Sequence, residues 1–465
     1  MLQLVRATEG RQSSTGNEAI LINMDHPIPR VSRRIFLGAA AAAPAVLKAG
    51  TLERPALLGG KPVRTEPFPG WPVHDDVEEK AVLDVVRSGK WGRGVGKTVS
   101  QFESQYAQLM SAQHTLATSS GTTALFTGLA ALGVGPGDEV ILPPYTFVAC
   151  VNVILLHHAV PVFCDTDPTT FQIDATKLDS KITSRTVAIM PVHLGGATFD
   201  VDAVQKIAAK RNLPILEDSC QSHLAEWRGK RTGTFGKAGC FSFQASKNLN
   251  SGEGGALLTN DGDLIEKCYA FHNNGRGRKQ PGYDFTYAQR GANLRMTEFQ
   301  AAILMSQMTR LEKQSQTREQ NAKYLQGLLN EIGGLTPVRT YDGCTRNAFH
   351  LFMLRYQPDQ FNGLSRGKFL KALEAEGIPA SAGYAPLNKD AFLTNTFATR
   401  GYQTVYGKKF LEDWHERNHC PANEQVCRDA VWLTQTQLLG PRRDMDQIAD
   451  AVRKIKQHAG ELARS

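Results

Sequence analysis

Short apolar runs alternate with helical patterns between residues 102 and 260, and this alternation constrains the fold more than any other feature of the sequence. Helical patterns lie at residues 123–132, 148–158 and 201–211. The runs with β character are residues 114–118, 139–142, 160–164, 187–193, 213–218, 240–243 and 255–259. Strands and helices in alternation predict an α/β domain with a mainly parallel sheet and helices on both faces. Ligands of such a sheet bind beyond the carboxyl ends of its strands.

A second, smaller α/β domain is predicted for the C-terminal part of the chain. A long helical pattern begins at Thr297 and continues past Leu328, with room for a kink near Gln314. A helix of this length commonly bridges two domains. Further apolar runs and helical patterns follow at residues 350–355, 430–433, 366–376 and 445–457. We therefore divide the chain into a segment of residues 1–50, a large domain of residues 51–310 and a small domain of residues 311–465.

The composition excludes several classes of protein. The 465 residues are 41% hydrophobic and 21% charged, as in ordinary globular proteins, which excludes collagen, coiled-coil rods and wholesale disorder. Residues 1–50 contribute +3 of the net charge of +8, and no basic stripe for nucleic acid is predicted in the remainder. The eight cysteines form no C-x-x-C pair, so we expect neither a metal site nor a disulfide framework.

The N-terminal segment resembles a twin-arginine export signal. Arg33 and Arg34 stand directly before an alanine-rich, weakly apolar stretch, and Lys48 follows it. A receptor reads such a signal, so the segment predicts export to the periplasm rather than a spanning helix. The alternative is an amphipathic or core helix in a protein that stays in the cytoplasm. No cysteine lies within residues 32–60, so a lipid anchor is not expected. The apolar stretch is shorter than the roughly 18–20 residues that a membrane span needs, so no stable membrane anchor is expected either.

The glycine-rich stretch from Gly92 to Thr98 is similar to a nucleotide-binding loop but lacks its spacing. A phosphate loop needs a glycine where Trp91 stands, and the third glycine of a dinucleotide motif falls on Lys97. Both motifs follow a strand, whereas residues 82–88 have helical periodicity. We interpret the stretch as a turn or a substrate loop.

Ser119 lies in a degenerate nucleophile elbow, with a strand before it and a helix after it. A hydrolase built on this serine needs an acid and then a histidine on later strands, and Asp218 and His350 fit that order. Hydrolysis is therefore one alternative function.

Lys247 follows the predicted strand 240–243 and precedes a cluster of glycines at Gly252, Gly254 and Gly255. Glycines let the backbone turn sharply and let a bulky ligand approach closely. The spacing alone is equally compatible with a solvated charge on a loop.

Two other segments support a functional role for this lysine. The stretch from Ser119 to Leu125 leads from a strand into a helix, whose first N–H groups and dipole bind anions, although a simple helix cap has the same pattern. Asp218 ends a largely apolar strand, either as a functional anion or as a cap or surface acid. An anion site, a strand-end carboxylate and a loop lysine are the three contacts that pyridoxal phosphate requires. They would hold its phosphate, its protonated ring nitrogen and its aldehyde.

The sequence resembles the DegT/StrS-type sugar aminotransferases of the fold-type-I pyridoxal-phosphate class over residues 59–455. The motifs that carry the resemblance lie at residues 102–103, 119–125, 135–140, 145–149, 191–194, 217–218, 241–255 and 291–296. The resemblance implies that Lys247 is the Schiff-base lysine and the proton shuttle, and that Asp218 pairs with the pyridine nitrogen. It also implies that Gln221 contacts the ring hydroxyl and that Phe147 stacks on the ring.

By the same resemblance, Gly121, Thr122 and Ser242 hold the phosphate. Asn293 comes from a neighbouring subunit, which implies a homodimer with shared active sites. His350 matches a position that faces the substrate in relatives, although a histidine buried on a strand is an equal interpretation.

Two features narrow the expected reaction. Residues 56–64, 68–72 and 420–424 are similar to cyclitol-ketone aminotransferases of the scyllo-inosose type, while Asn388 departs from relatives that often carry histidine there. Lys247 argues against the dehydratase relatives, in which histidine replaces the lysine. We expect transfer of an amino group from glutamate or glutamine to a keto sugar or keto cyclitol. The rival is an exported, non-catalytic carbohydrate- or cofactor-binding protein on the same fold.

Overall fold

A computed structural model describes residues 53–278 and 286–465, so the predicted export signal lies outside the described residues. The strands are β1 His114–Thr118, β2 Glu139–Leu142, β3 Val160–Phe163, β4 Thr186–Ile189, β5 Leu216–Asp218, β6 Glu226–Trp227, β7 Lys230–Arg231, β8 Ala238–Ser242, β9 Gly255–Thr259, β10 Leu335–Pro337, β11 Cys344–Arg346, β12 Leu351–Tyr356 and β13 Ala430–Thr434. The α-helices are α1 Asp76–Ser88, α2 Thr98–Met110, α3 Gly121–Ala131, α4 Ala149–Leu156, α5 Ala175–Leu178, α6 Val201–Arg211, α7 Gly262–His272, α8 Glu298–Ile332, α9 Arg366–Ala375, α10 Ala391–Phe397, α11 Arg400–Tyr406, α12 Lys408–Glu412, α13 Trp414–Arg417, α14 Pro421–Asp429, α15 Arg442–Gln457 and α16 Ala459–Arg464.

The main sheet consists of two groups of strands that meet between β4 and β5. One group has the order β1-β9-β8-β5, the other β3-β2-β4, and parallel bridges join Ile189 to Ile215 and Val192 to Asp218. β9 pairs antiparallel with β1 and β8, while β5 and β8 and the strands of the second group pair in parallel. The chain returns directly from β8 to β9 through the Lys247 turn, which explains why β9 reverses. The predicted mainly parallel sheet is confirmed.

Helices cover both faces of this sheet. Side chains alternate along each strand, so Leu116 of β1 packs into a cluster with α3, α4 and α7, whereas Ala117 packs into a cluster with α2 and α8. Leu257 and Leu258 of β9 divide between the two clusters in the same way. Both faces of the sheet are therefore buried beneath helices, and its polar side chains lie mainly at the ends of the strands.

A smaller antiparallel sheet of order β10-β12-β13 forms the core of the C-terminal part. Phe352 and Leu354 of β12 pack against α9 and α15, while Met353, between them in the chain, belongs to a cluster of the main sheet. β12 therefore has one face toward each core, which brings its first residues close to the main sheet.

The long helix α8 begins where the sequence predicts and continues without interruption through Gln314. Thr297 caps it by accepting a hydrogen bond from the backbone N–H of Gln300, whose side chain accepts one from the N–H of Thr297. The predicted domain boundary at residue 310 falls inside this helix and stays a prediction. No helix within the described ranges is long and apolar enough to cross a membrane.

Candidate active site

The first turn of α3 presents free backbone N–H groups. Ser120 caps the helix by accepting a hydrogen bond from the N–H of Thr123 at 3.1 Å, and the Thr123 hydroxyl accepts one from the N–H of Ser120 at 2.9 Å. Within the described part of the chain, the N–H groups of Gly121 and Thr122 have no hydrogen-bond acceptor. Together with the positive end of the helix dipole, these two donors suit an anion such as a phosphate.

Gly121 allows this turn to approach the end of β8. A Cβ atom at position 121 would lie 2.6 Å from the Cβ of Ser242 and 3.0 Å from the Sγ of Cys220. The absence of a side chain therefore places Ser242 beside the two free N–H groups, where its hydroxyl provides a further polar contact.

Asp218 ends β5 with its carboxylate fixed at both oxygens. Oδ1 accepts a hydrogen bond from the backbone N–H of Cys220 at 3.0 Å, and Oδ2 accepts one from the thiol of Cys150, with an Sγ to Oδ2 distance of 2.8 Å. The side chain lines a cavity, although only 5% of the residue is exposed. Asp218 is thus a nearly buried carboxylate with a defined orientation.

The neighbouring Glu217 has a different environment, because successive side chains of a strand point to opposite faces. Its carboxylate accepts hydrogen bonds from the backbone N–H groups of Gly233, Phe235 and Gly236 and contacts Nε2 of His193 at 2.9 Å. Glu217 is fully buried and holds a loop in place. Of the two carboxylates at this strand end, only Asp218 lines the cavity.

Lys247 lies on the turn between β8 and β9, where its backbone N–H donates to the carbonyl of Gln244 at 2.8 Å. Its amine makes no hydrogen bond or ion pair with any residue that the structure describes. Burial lowers the pKa of Lys247 from its ordinary value, while Cys220 and Asp218 oppose that shift. The lowered pKa favours the neutral amine, which is the nucleophilic form.

The same cavity is lined by Gln221, Tyr384 and His350. Oε1 of the Gln221 side chain accepts a hydrogen bond from the backbone N–H of Gly195 at 2.7 Å, and Nε2 donates one to the Tyr384 hydroxyl at 3.3 Å. His350 Nδ1 lies 3.3 Å from Oδ1 of Asn248. Burial lowers the pKa of His350 well below its ordinary value, so this histidine is neutral at pH 7.

A cavity of about 550 Å³ brings most of the predicted site residues together. Eight of the nine line it, namely Gly121, Thr122, Phe147, Asp218, Gln221, Ser242, Lys247 and His350. Asn293 does not line it but lies exposed on the segment before α8, paired with Asn273. Its assignment to a neighbouring subunit stays a prediction.

Several residues of the cavity were not predicted from the sequence. Cys220, Glu253, Tyr384 and Trp432 also line it. Asn388, the position that departs from relatives, does not: it is buried, and its amide donates to the carbonyl of Asn418 at 3.0 Å. Tyr384, four residues earlier, is the part of that segment that reaches the site.

The hydrolase alternative has no support in this geometry. The Ser119 hydroxyl contacts the Thr123 hydroxyl at 3.3 Å, His350 contacts Asn248, and the Asp218 carboxylate is bound by Cys150 and Cys220. In the part of the chain that the structure describes, no two members of the Ser119, Asp218 and His350 set are hydrogen-bonded to each other. No cluster of histidine, cysteine or acidic side chains within the described ranges could hold a metal ion.

The residues present fit pyridoxal phosphate. The helix N-terminus and Ser242 match a phosphate, Asp218 matches a protonated ring nitrogen, and the amine of Lys247 matches an aldehyde. The order of these groups along a mainly parallel sheet, with a smaller C-terminal sheet beside it, defines a fold-type-I pyridoxal-phosphate transferase.

Comparison with known proteins identifies the family. Residues 72–453 match the DegT/DnrJ/EryC1/StrS aminotransferase family, and the chain belongs to it. L-glutamine:2-deoxy-scyllo-inosose aminotransferases from Streptoalloteichus tenebrarius and Streptomyces fradiae are 37% and 36% identical over 429 and 421 residues. These alignments cover 88% of this chain and 98% and 99% of those relatives. The crystal structure of 3-amino-5-hydroxybenzoic acid synthase is similar with a TM-score of 0.75 and 32% identity, over 86% of this chain and 100% of that one. The protein is therefore an aminotransferase.

Proposed function

We propose that this aminotransferase binds pyridoxal phosphate in the cavity around Lys247 and transfers an amino group from glutamine or glutamate to a keto cyclitol or keto sugar. The observation that carries the proposal is the presence of an amine without a hydrogen-bond partner among the described residues, a fixed carboxylate and a free helix N-terminus in one cavity. When bound, the cofactor supplies an electron sink that makes the α-proton of an amino donor acidic.

Four residues of the cavity would act around the ring of the cofactor in this proposal. The amine of Lys247 would hold the cofactor through its aldehyde and, once released, would serve as the base that takes up and returns the α-proton of the amino donor. Asp218 keeps the ring nitrogen protonated, because an opposite charge in a buried site favours the charged form. Gln221 would contact the ring hydroxyl, and Phe147 would cover a face of the ring.

The phosphate is assigned to the N–H groups of Gly121 and Thr122 and to the hydroxyl of Ser242. His350, neutral at pH 7, faces the substrate. Oδ1 of Asn248 can only accept, so the single proton of the neutral ring lies on Nδ1, and Nε2 is left to accept a hydrogen bond from a hydroxyl group of the substrate.

The acceptor and the donor are proposed from the relatives. Two of them are named for glutamine as donor and 2-deoxy-scyllo-inosose as acceptor, and each alignment spans nearly the whole relative. The segment at residues 420–424, which is similar to cyclitol-ketone enzymes, has a structural role, because Asp165 accepts hydrogen bonds from the N–H groups of Ala422 and Asn423 at the start of α14. The assignment of a keto cyclitol therefore depends on the relatives more than on this segment.

We also propose a homodimer in which Asn293 contacts the cofactor phosphate of the partner subunit. Asn293 is exposed and does not line the cavity of its own subunit, as this arrangement requires.

Asn293→Ala should weaken cofactor binding without changing the fold. When the Asn293→Ala and Lys247→Ala variants are mixed, each hybrid dimer has one active site with both substitutions and one active site with neither. The mixture should therefore be more active than either variant alone. Absence of any complementation in verified hybrid dimers would contradict the shared site.

Export by the twin-arginine route is proposed for residues 1–50. Arg33 and Arg34 before the alanine-rich stretch support it, and a free ketone acceptor would not depend on cytoplasmic nucleotide sugars. Fusion of residues 1–60 to a reporter tests this. Export that survives replacement of both arginines by lysine, or no export at all, would contradict the proposal.

The absorbance spectrum of the purified protein tests the proposed chemistry. With pyridoxal phosphate we expect a visible Schiff-base band that L-glutamine or L-glutamate converts to the pyridoxamine form and a keto cyclitol restores. Lys247→Ala should remove the visible band and the turnover, whereas Lys237→Ala, a lysine with a 57% exposed side chain on the same domain, should change neither. A band that no amino donor converts would support the non-catalytic binding protein instead.

A further inference from the structure

Cys150 is a buried thiol in direct contact with the carboxylate of Asp218. It lies in the first turn of α4 with no exposed surface, and its Sγ is 2.8 Å from Oδ2 of Asp218. The hydroxyl of Thr146 lies 3.2 Å from the same sulfur. A carboxylate can only accept, so the thiol donates to it. Burial raises the pKa of the Cys150 thiol well above its ordinary value, which keeps the proton on sulfur at neutral pH.

We propose that Cys150 is a positioning residue that orients the carboxylate of Asp218. This inference rests on the proposed function, in which Asp218 pairs with the ring nitrogen of the cofactor. The thiol occupies Oδ2 and the N–H of Cys220 occupies Oδ1, so rotation of the carboxylate would break both hydrogen bonds. Each oxygen retains a further acceptor position, which leaves the carboxylate able to contact a ligand in the cavity.

The contact is specific to this cysteine among the buried thiols of the same hydrophobic cluster. Cys240 and Cys268 are equally buried in that cluster, but neither thiol has a hydrogen bond to Asp218. Cys268 lies on α7, away from the cavity lining. Cys268→Ala therefore removes a buried thiol of the same size without affecting Asp218, and it is the matched control.

The chemistry predicts a graded series of variants. Cys150→Ala removes the donor to Oδ2, so the carboxylate loses one of the two hydrogen bonds that fix its orientation, and the ring nitrogen then holds its proton less firmly. Cys150→Val fills the space without restoring a donor. Cys150→Ser restores a donor on a shorter side chain. We expect turnover to fall five- to thirtyfold in Cys150→Ala and Cys150→Val, and to recover at least partly in Cys150→Ser.

Two measurements on the cofactor-loaded full-length protein separate positioning from packing. The dissociation constant for pyridoxal phosphate, from fluorescence titration, should rise at least threefold in Cys150→Ala but stay unchanged in Cys268→Ala. The pH at which the visible band titrates should shift in Cys150→Ala and return toward the wild-type value in Cys150→Ser. If Cys150→Ala and Cys150→Val match Cys268→Ala in both measurements while the wild type is active, the inference is wrong and the proposed function is unaffected. If the wild type forms no visible band, the proposed function itself fails.

Discussion

Gly121→Ala tests whether the close approach of α3 to β8 builds the phosphate site. Gly121 is the first residue of α3, and its backbone is fixed by the cap between Ser120 and Thr123. The new Cβ would lie 2.6 Å from the Cβ of Ser242, whereas carbon atoms in contact prefer about 3.5–4.0 Å. The start of the helix must therefore move away from β8 by roughly 1 Å.

The magnitude follows from this displacement. Overpacking of a well-packed site costs about 1–3 kcal/mol, and the better helix propensity of alanine offsets up to about 1 kcal/mol of it. A net loss of about 1–2 kcal/mol in the free energy of unfolding lowers the Tm of a domain of this size by roughly 2–4 °C. Loss of one charge-assisted hydrogen bond to the phosphate, worth about 1.5–3 kcal/mol, weakens cofactor binding about 10- to 100-fold.

Thermal unfolding of the cofactor-free protein and titration with pyridoxal phosphate measure the two effects separately. Gly262→Ala is the matched control, because Gly262 is the first residue of α7 and a Cβ there meets no atom within 4 Å. We expect Gly121→Ala to lower both the Tm and the affinity for pyridoxal phosphate. Gly262→Ala should lower neither. If Gly121→Ala binds pyridoxal phosphate as tightly as the wild type, the first turn of α3 does not hold the phosphate.

Three further predictions address the charged groups around the site. Asp218→Asn should leave the protein folded but lower turnover by several orders of magnitude in steady-state assays, and a near wild-type rate would make Asp218 merely structural. Glu217→Ala should instead lower the free energy of unfolding by about 3–5 kcal/mol in urea titrations, because its hydrogen-bond donors lose their buried acceptor; an unchanged midpoint would contradict this. Burial lowers the pKa of His223 to about 3, below its ordinary value of 6.5, so the unfolded chain binds an extra proton between these values. Stability should therefore fall by about 1.4 kcal/mol per pH unit below pH 6 on account of this residue, and His223→Gln should flatten the pH dependence of the urea midpoint.

The order of elements could be predicted from the sequence because local periodicity determines it. β1, β9 and α6 have the predicted bounds, and α8 begins at its predicted cap. Other boundaries shifted for local reasons. α3 begins at Gly121 rather than residue 123 because Ser120 caps it, and β5 is shorter than predicted because Pro214 has no N–H to donate.

The central residues of the site could also be predicted, since they follow strands or turns whose ends meet at one sheet edge. Lys247, Asp218 and Gly121 are of this kind. Cys150 and Tyr384 are not, because their contacts with Asp218 and Gln221 connect segments 68 and 163 residues apart. Such contacts depend on the order of the strands in the sheet and on the packing of the C-terminal part against it. The periodicity of a single sequence indicates neither the strand order nor this packing.

The continuity of α8 limits how this enzyme can admit its substrates. Ala301 and Leu304 anchor the first part of the helix beneath the main sheet, and Leu325 and Leu329 anchor the last part in the C-terminal core. A rod fixed at both ends resists the hinge bending by which many two-lobed enzymes open and close. Exchange of donor for acceptor should then depend on local motion at the cavity mouth, around Phe147, which is 55% exposed, so turnover should be less sensitive to solvent viscosity than in enzymes with swinging lobes.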